Sequence, residues 1–250
     1  MNNDTRTIAI TGASRGIGAA IARELVLRGF NVACLNRNGL ATPVDKEFPE
    51  AAQARLTGIP CDVCATDSIN EAIRAAANIG NGLFGVVNNA GITKGGPSDS
   101  FSRDDFEEVW TTNVLGVFSV CQAAYPYLVE RGRGLIINIG SFWDRIGGKG
   151  YTAYCASKAA VGAVSRCLAV EWAKKGIRVL DVAPGYISTD MTSDALQHEP
   201  LRIHLKKRIP RGDVGRPEDI AKLVAALFSE DIDFLTGSTL YVDGAQGIAP

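Results

Sequence analysis

Tyr154 and Lys158 stand four residues apart in a stretch, Ala153 to Lys175, whose apolar spacing and terminal Gly176 predict a long helix. Side chains at that spacing share a helix face. A free phenol ionises near pH ~10 and a free ammonium near ~10.4. An ammonium beside the phenol stabilises the phenolate and moves the tyrosine towards acid–base work near neutrality. The same pair also serves elsewhere as an ordinary solvated helix face, so it acquires chemical meaning only with partners.

A second group lies near the N-terminus. Thr11-Gly12-Ala13-Ser14-Arg15-Gly16-Ile17-Gly18 follows the short apolar run Thr7 to Thr11 and opens a helical stretch from Gly16 to Arg28. A parallel sheet aims a helix N-terminus at a phosphate at just such a junction. Gly12 permits the tight turn, Gly16 lets a pyrophosphate approach the backbone, and Gly18 lets helix and strand pack closely. The spacing, G-x-x-x-G-x-G, departs from the commoner dinucleotide fingerprint G-x-G-x-x-G.

The elements that must position these groups alternate. Val32 to Leu35, Arg55 to Cys61, Leu83 to Asn88, Leu135 to Ile139, Arg178 to Val182 and Leu240 to Val242 read as strands. Pro43 to Ala54, Thr66 to Ile79, a long stretch from Ser102 towards Leu128, and Pro217 to about Ser229 read as helices. Asp105 three residues after Ser102 resembles a capping box. Continuous apolar strands, each followed by a helix, mean a parallel sheet covered on both faces. The expectation is α/β: a single doubly wound, Rossmann-type domain over residues 1–250. Ser188 to Gly215 is the longest break in the alternation and is expected to be an irregular lid.

Composition agrees with an ordinary soluble enzyme. The chain has 250 residues, 46% of them hydrophobic and 21% charged, with a net charge of -1. It lacks the broad positive field of a nucleic-acid binder and any apolar run of membrane-spanning length. A cytoplasmic protein without nucleic-acid or membrane partners is expected. Cys61 and Cys64 form a C-x-x-C, but no second pair follows and His198 and His204 are wrongly spaced, so no metal site is expected.

The same residues bring a family into view. Thr11–Gly18, Asn88-Asn89-Ala90-Gly91, Asn113, Ser141, Tyr154-x-x-x-Lys158 and Pro184-Gly185 stand in the order and spacing of the short-chain dehydrogenase/reductase family. The resemblance runs from Thr7 to Gly244. Val182 to Met191, and Leu235-Thr236-Gly237 through Val242-Asp243-Gly244, resemble the 3-oxoacyl-(acyl-carrier protein) reductase-like members, among which are many sugar, steroid and secondary-alcohol dehydrogenases.

The resemblance implies a catalytic set of Asn113, Ser141, Tyr154 and Lys158. Tyr154 would exchange a proton with the substrate oxygen, and Ser141 would hydrogen-bond that oxygen. Lys158 would hold the nicotinamide ribose, and Asn113 would hold a water continuing the proton path. Asp62 and Val63 would meet the adenine, Asn89, Ala90 and Gly91 the adenosine ribose, and Pro184, Gly185, Ile187 and Thr189 the nicotinamide. Phe142, Trp143, Tyr151, Tyr186 and Met191 would line an apolar substrate pocket. The family further implies a homotetramer.

Cofactor choice turns on one strand end. Val32 to Leu35 runs into Asn36-Arg37, with no carboxylate to accept the ribose hydroxyls of NAD. Arg37, with Arg15 from the glycine turn, suits a 2′-phosphate, so NADP(H) is expected ahead of NAD(H). The leading function is hydride transfer between a nicotinamide and a ketone or 3-oxoacyl carbonyl. An NAD-dependent sugar or secondary-alcohol dehydrogenase is the alternative. A catalytically silent dinucleotide-binding regulator is a further one, opposed by the intact tetrad.

Overall fold

β-Branched and aliphatic residues buried on both faces make the strands. The computed structural model describes residues 5–189, 199–230 and 232–249. Among the described residues, β1 (Thr7–Thr11), β2 (Asn31–Asn36), β3 (Leu56–Pro60), β4 (Leu83–Asn88), β5 (Gly134–Ile139), β6 (Ile177–Pro184) and β7 (Thr239–Val242) form one sheet. Its order is β3-β2-β1-β4-β5-β6-β7, and all neighbours are parallel. The helices are α1 (Gly16–Leu27), α2 (Glu50–Gln53), α3 (Thr66–Ala77), α4 (Arg103–Trp110), α5 (Gly116–Arg131), α6 (Thr152–Trp172), α7 (Glu199–Arg208) and α8 (Pro217–Ser229). This is the expected doubly wound Rossmann-type arrangement.

The pleat sorts side chains into two cores. Ile8, Ile10, Val32, Cys34, Leu180 and Val182 meet Ile21 and Leu25 of α1 and Val224 and Phe228 of α8. Ala9, Ala33, Leu35, Ile136 and Val179 meet Ile73 of α3, Leu128 of α5 and Leu168 of α6. Each fully buried large side chain contributes roughly 1.5–3 kcal/mol. The sheet order reverses at β1, whose neighbours are β2 and β4, and a ligand crevice forms at such a point.

Three expectations need correction. The helix expected over Pro43 to Ala54 shrinks to α2. Thr42, buried, donates from its hydroxyl to Ala13 O at 2.7 Å and so pulls residues 37–49 across the glycine turn as a loop. The long helix after Ser102 is interrupted by a π-turn, Thr111–Leu115, between α4 and α5. Such turns recur at functional sites, and this one carries Asn113. Finally, the segment 188–215 is not wholly irregular, because α7 lies inside it with Leu205 and Ile209 buried four residues apart. Leu201, Ile203, Leu205 and Ile209 stand interspersed with Arg202, His204, Lys206, Lys207 and Arg208, too mixed a stretch to register as periodicity. Lys206, Lys207 and Arg208 lie exposed, the solvated face of that helix. The segment's ends are pinned, with Ser188 N donating to Gly215 O and Gly215 N to Tyr186 O, both at 2.9 Å. Residues 190–198, Met191 included, lie outside the described residues.

The β1–α1 junction admits no side chain at Gly18. A Cβ there would collide with Gly12 O and sit 2.5 Å from Asn89 Nδ2. Gly18→Ala is therefore expected to cost about 1–3 kcal/mol, read as a lowered Tm in thermal unfolding. An unchanged Tm would show that α1 does not need this close approach.

Candidate active site

The glycine turn is bound to the end of β4. Thr11 Oγ1 accepts from Asn89 N and Ala90 N, both at 3.0 Å. Asn89 Nδ2 donates to Thr11 O at 3.0 Å and to Gly12 O at 3.1 Å. Gly12 has φ +68° and Gly16 φ +55°, left-handed values that favour glycine. No side chain caps α1, so its first N–H groups are left for an anion. Ser14 and Arg15 are exposed at its entrance. A Cβ on Gly16 would touch Thr189 at 3.6 Å, so the segment after β6 returns over the turn. Gly185 N is tied to Val242 O at 3.0 Å, and Ile187 is buried. This uncapped, glycine-floored cradle fits the pyrophosphate of a dinucleotide.

The end of β2 is less open than the sequence suggests. Asn36 turns its amide inward, donating to Leu40 O at 2.7 Å and accepting from Leu40 N at 3.2 Å. Arg37 and Arg15 are exposed, and neither guanidinium has a hydrogen-bond partner among the described residues. Asp62, also exposed, accepts from Cys64 N at 3.0 Å, and Val63 packs its carbonyl close to Gly116 on α5.

Ser141 follows β5, and Tyr154 and Lys158 project from α6 towards it. The Ser141 hydroxyl, facing the Tyr154 phenol, draws its pKa down, yet burial dominates and pushes that phenol up to about 12. Lys158 is buried and donates to Ile139 O at 2.7 Å. Its Nζ lies 5.6 Å from the centroid of the Tyr154 ring. The sequence reading expected the ammonium to bring the phenol down towards neutrality. Instead, burial dominates the phenol, and it lowers Lys158 itself to about 8. Asn113, fully buried, donates to Ile92 O at 2.9 Å and Ser157 Oγ at 3.0 Å, and accepts from Ile92 N at 2.9 Å. It thereby braces the loop following Gly91 against α6.

Several contributors were not read from the sequence. Thr11, Ser157 and Thr42 act through hydrogen bonds across long sequence separations, for which no local pattern exists. Asp181 did leave a signal, as the one carboxylate within the otherwise apolar stretch Val179 to Pro184 of β6.

Comparison with known proteins places the chain in a family. A family model described as enoyl-(acyl carrier protein) reductase matches residues 12–245. The chain is 35% identical to 3beta-hydroxysteroid dehydrogenase 1 of Eggerthella lenta, over 98% of this chain and 95% of that one. It is 36% identical to a 3-oxoacyl-[acyl-carrier-protein] reductase of Staphylococcus aureus, over 97% and 98%. This chain belongs to the short-chain dehydrogenase/reductase family. A gluconate 5-dehydrogenase from Burkholderia cenocepacia, solved with NADP and tartrate, superposes with a TM-score of 0.87 at 31% identity, covering 99% of this chain and 97% of that one.

In this short-chain dehydrogenase/reductase an aromatic wall flanks Tyr154. Trp143 is its centre, 5.8 Å edge-to-face from Tyr154, 6.0 Å edge-to-face from Tyr186, 4.9 Å from Tyr151 and 5.9 Å from Phe142, centroid to centroid. Phe142 is buried, whereas Tyr151 is exposed. Lys94, in the loop after β4, is neutralised by Asp105 at 2.5 Å and by Glu108.

The two cysteines of the C-x-x-C differ in their surroundings. Cys61 is buried with its thiol pushed up to about 11, mainly by burial and then by Asp62, while Cys64 is exposed. No metal-binding group occurs among the described residues. A disulfide reagent is expected to label Cys64 and Cys167 rapidly in the native protein and Cys61 only on unfolding. Rapid joint oxidation of Cys61 and Cys64 would instead reveal a redox pair.

Proposed function

We propose that this chain is an NADPH-dependent reductase of a ketone or 3-oxoacyl substrate, with Tyr154 as the acid. The observation that carries the reading is the phenol of Tyr154, facing Ser141 and followed one helical turn later by the buried Lys158. A nicotinamide, when bound, would supply hydride to the carbonyl carbon. The chain's own residues manage the oxygen and the proton. Ser141 and Tyr154 hydrogen-bond the carbonyl oxygen, and Tyr154 gives it a proton as negative charge develops there. A phenol held near 12 is fully protonated at neutral pH, which suits reduction. The Lys158 ammonium then stabilises the phenolate left behind and binds the ribose hydroxyls. Asn113, through Ser157 and Ile92, keeps α6 and the loop after β4 in register.

Gly12, Gly16 and Gly18 hold the pyrophosphate, Asp62 and Val63 the adenine, Asn89, Ala90 and Gly91 the adenosine ribose, and Pro184, Gly185, Ile187 and Thr189 the nicotinamide. Exposed Arg15 and Arg37 receive the 2′-phosphate, Asn36 shaping the turn that presents Arg37. Solved relatives bound to NADP support that choice. The aromatic wall favours an apolar carbonyl over a polyol. Phe118 on α5 and Val170 on α6 are exposed apolar residues that suit assembly into a homotetramer.

Tyr154→Phe is expected to cut kcat by at least ~10²-fold while leaving NADPH binding nearly intact. Steady-state kinetics with fluorescence titration check this; a mutant keeping a tenth of the activity would sink the assignment. Lys158→Ala should raise the NADPH Kd as well.

Cofactor choice is tested separately. Arg37→Asp replaces attraction for a phosphate with repulsion and is expected to lower kcat/KM for NADPH roughly tenfold or more, with NADH little affected. An unmutated enzyme at least as efficient with NADH would refute the preference.

A further inference from the structure

β6 carries a carboxylate that the mechanism above does not use. Asp181 is 1% exposed and its Oδ1 has no hydrogen-bond partner. It lies beneath Gly140, where any Cβ would collide with Oδ1. Gly140 separates Ile139, whose carbonyl accepts from Lys158, from Ser141, which faces Tyr154. The carboxylate therefore sits under the one peptide that joins the two halves of the site.

The groups facing Asp181 come from every neighbouring element. Lys158 and Arg166 approach from α6, Asp144 from the 3-10 turn after Ser141, and Thr239 from β7, donating to Asp181 Oδ2 at 3.1 Å. Where Gly162 lacks a side chain, a Cβ would meet Arg166 Nη1 at 3.4 Å, Asp181 Oδ2 at 3.6 Å and Asp144 Oδ2 at 3.9 Å. Tyr241 occupies Asp144 through a 2.8 Å hydrogen bond, and Arg145 is stacked on Tyr241 at 3.6 Å. Among the described residues Lys158 has a single hydrogen-bond acceptor, an uncharged carbonyl.

We propose that Asp181 is a positioning residue: the counter-charge, delivered from β6 beneath Gly140, that keeps Lys158 protonated and seated on the Ile139 carbonyl. The direction of each titration agrees. Burial draws Lys158 down to about 8 and Asp181 holds it up. Burial raises Asp181 to about 6; Thr239 and Lys158 oppose the rise, and Asp144 adds to it. Asp181 is thus charged across the range in which Lys158 loses its proton, which is where a counter-charge has effect. The inference rests on the reductase reading only for its catalytic consequence, not for the coupling.

The coupling is measured in the cofactor-free protein by NMR of 13Cε-labelled lysine. Burial draws the Lys158 midpoint down from the ordinary ammonium value, and Lys158→Arg identifies its signal. Asp181→Asn is expected to lower the Lys158 midpoint by about one pH unit or more. Asp144→Asn should move it distinctly less. In turnover, the alkaline limb of kcat/KM for carbonyl reduction should fall with the midpoint. A merely structural carboxylate would lower activity evenly at all pH values and leave the midpoint in place, which would overturn the proposal. So would equal shifts in the two variants. Asp181→Ala, which relieves the crowding under Gly140, reports the same midpoint if the amide variant does not fold. If neither folds, linkage supplies the reciprocal measurement. Lys158→Met should raise the Asp181 midpoint in carboxyl 13C NMR, and an unmoved midpoint refutes the coupling. Tyr154→Phe in parallel keeps the questions apart, since its retained activity would remove the reductase reading and leave the Lys158 titration to stand or fall alone.

Discussion

The hydrogen bonds between Thr11 and the Asn89-Ala90 step join the two halves of the sheet at their outlet. Strand pairing alone holds β1 beside β4, but it says nothing about the loops beyond the strand ends. Thr11 Oγ1 takes two backbone N–H groups of the β4 loop, and Asn89 returns two bonds to the glycine turn. With that lock in place, Gly12 must be left-handed and Gly18 must lack a Cβ, because Asn89 fills the space beside both. The lock then propagates. Beyond Asn89 the chain reaches Ile92, which exchanges two bonds with Asn113; Asn113 reaches Ser157, and Ser157 Oγ donates to Tyr154 O at 2.7 Å. An unbroken polar path thus fixes the phosphate cradle and the phenol in one frame. Near-attack geometry needs such a frame, since a misplacement of about 1 Å is costly.

Polar groups buried at this density are a thermodynamic liability. Removing an ammonium and a carboxylate from water costs several kcal/mol per ion after relaxation. The chain nevertheless buries Lys158 and Asp181, and places Asp144 close to Asp181. A hydrophobic trio would be the more stable choice in this position. On the proposed mechanism the cost returns as chemistry, because a desolvated ammonium stabilises a phenolate far better than a hydrated one. The phenol's own burial serves the same end from the other side, storing the proton until charge develops on the substrate oxygen.

What the sequence revealed follows from what has a period. Strands buried on both faces read as continuous apolar runs, and the helices α1, α3 and α8 announce themselves by spacing. The glycine turn and the Tyr154–Lys158 pair were legible because each is local, within eight residues. What escaped notice was non-local or weakly patterned. Thr42 converts a helical stretch into a loop through one bond to Ala13, and no window around Pro43 contains that information. α7 mixes Leu201, Ile203 and Leu205 with Pro200 near its start and the basic run Lys206 to Arg208 at its end. Asn36 was placed correctly at the end of β2, but its amide closes its own turn, a choice decided by Leu40. Lys158 was placed on the right face of α6, whereas its acceptor, Ile139, lies 19 residues earlier on another element.

The substrate side obeys a different logic from the cofactor side. There the chain offers hydrogen bonds and open N–H groups; here it offers rings. Trp143 touches four other aromatic residues, and one of them is Tyr154 itself. Gly148 packs a bare backbone against the Trp143 ring, where a Cβ would stand 3.3 Å away, so the loop before α6 buttresses the wall. Lys94, the nearby cation, already serves Asp105 and Glu108 and has little charge to spare for a carboxylate or phosphate. Edge-to-face rings resist shearing, because sliding one forfeits contacts on several. A substrate that wedges Trp143 aside therefore also disturbs the ring carrying the proposed acid. On this geometry, selection operates through shape at the phenol, with a bulky or polar ligand penalised in kcat as much as in KM.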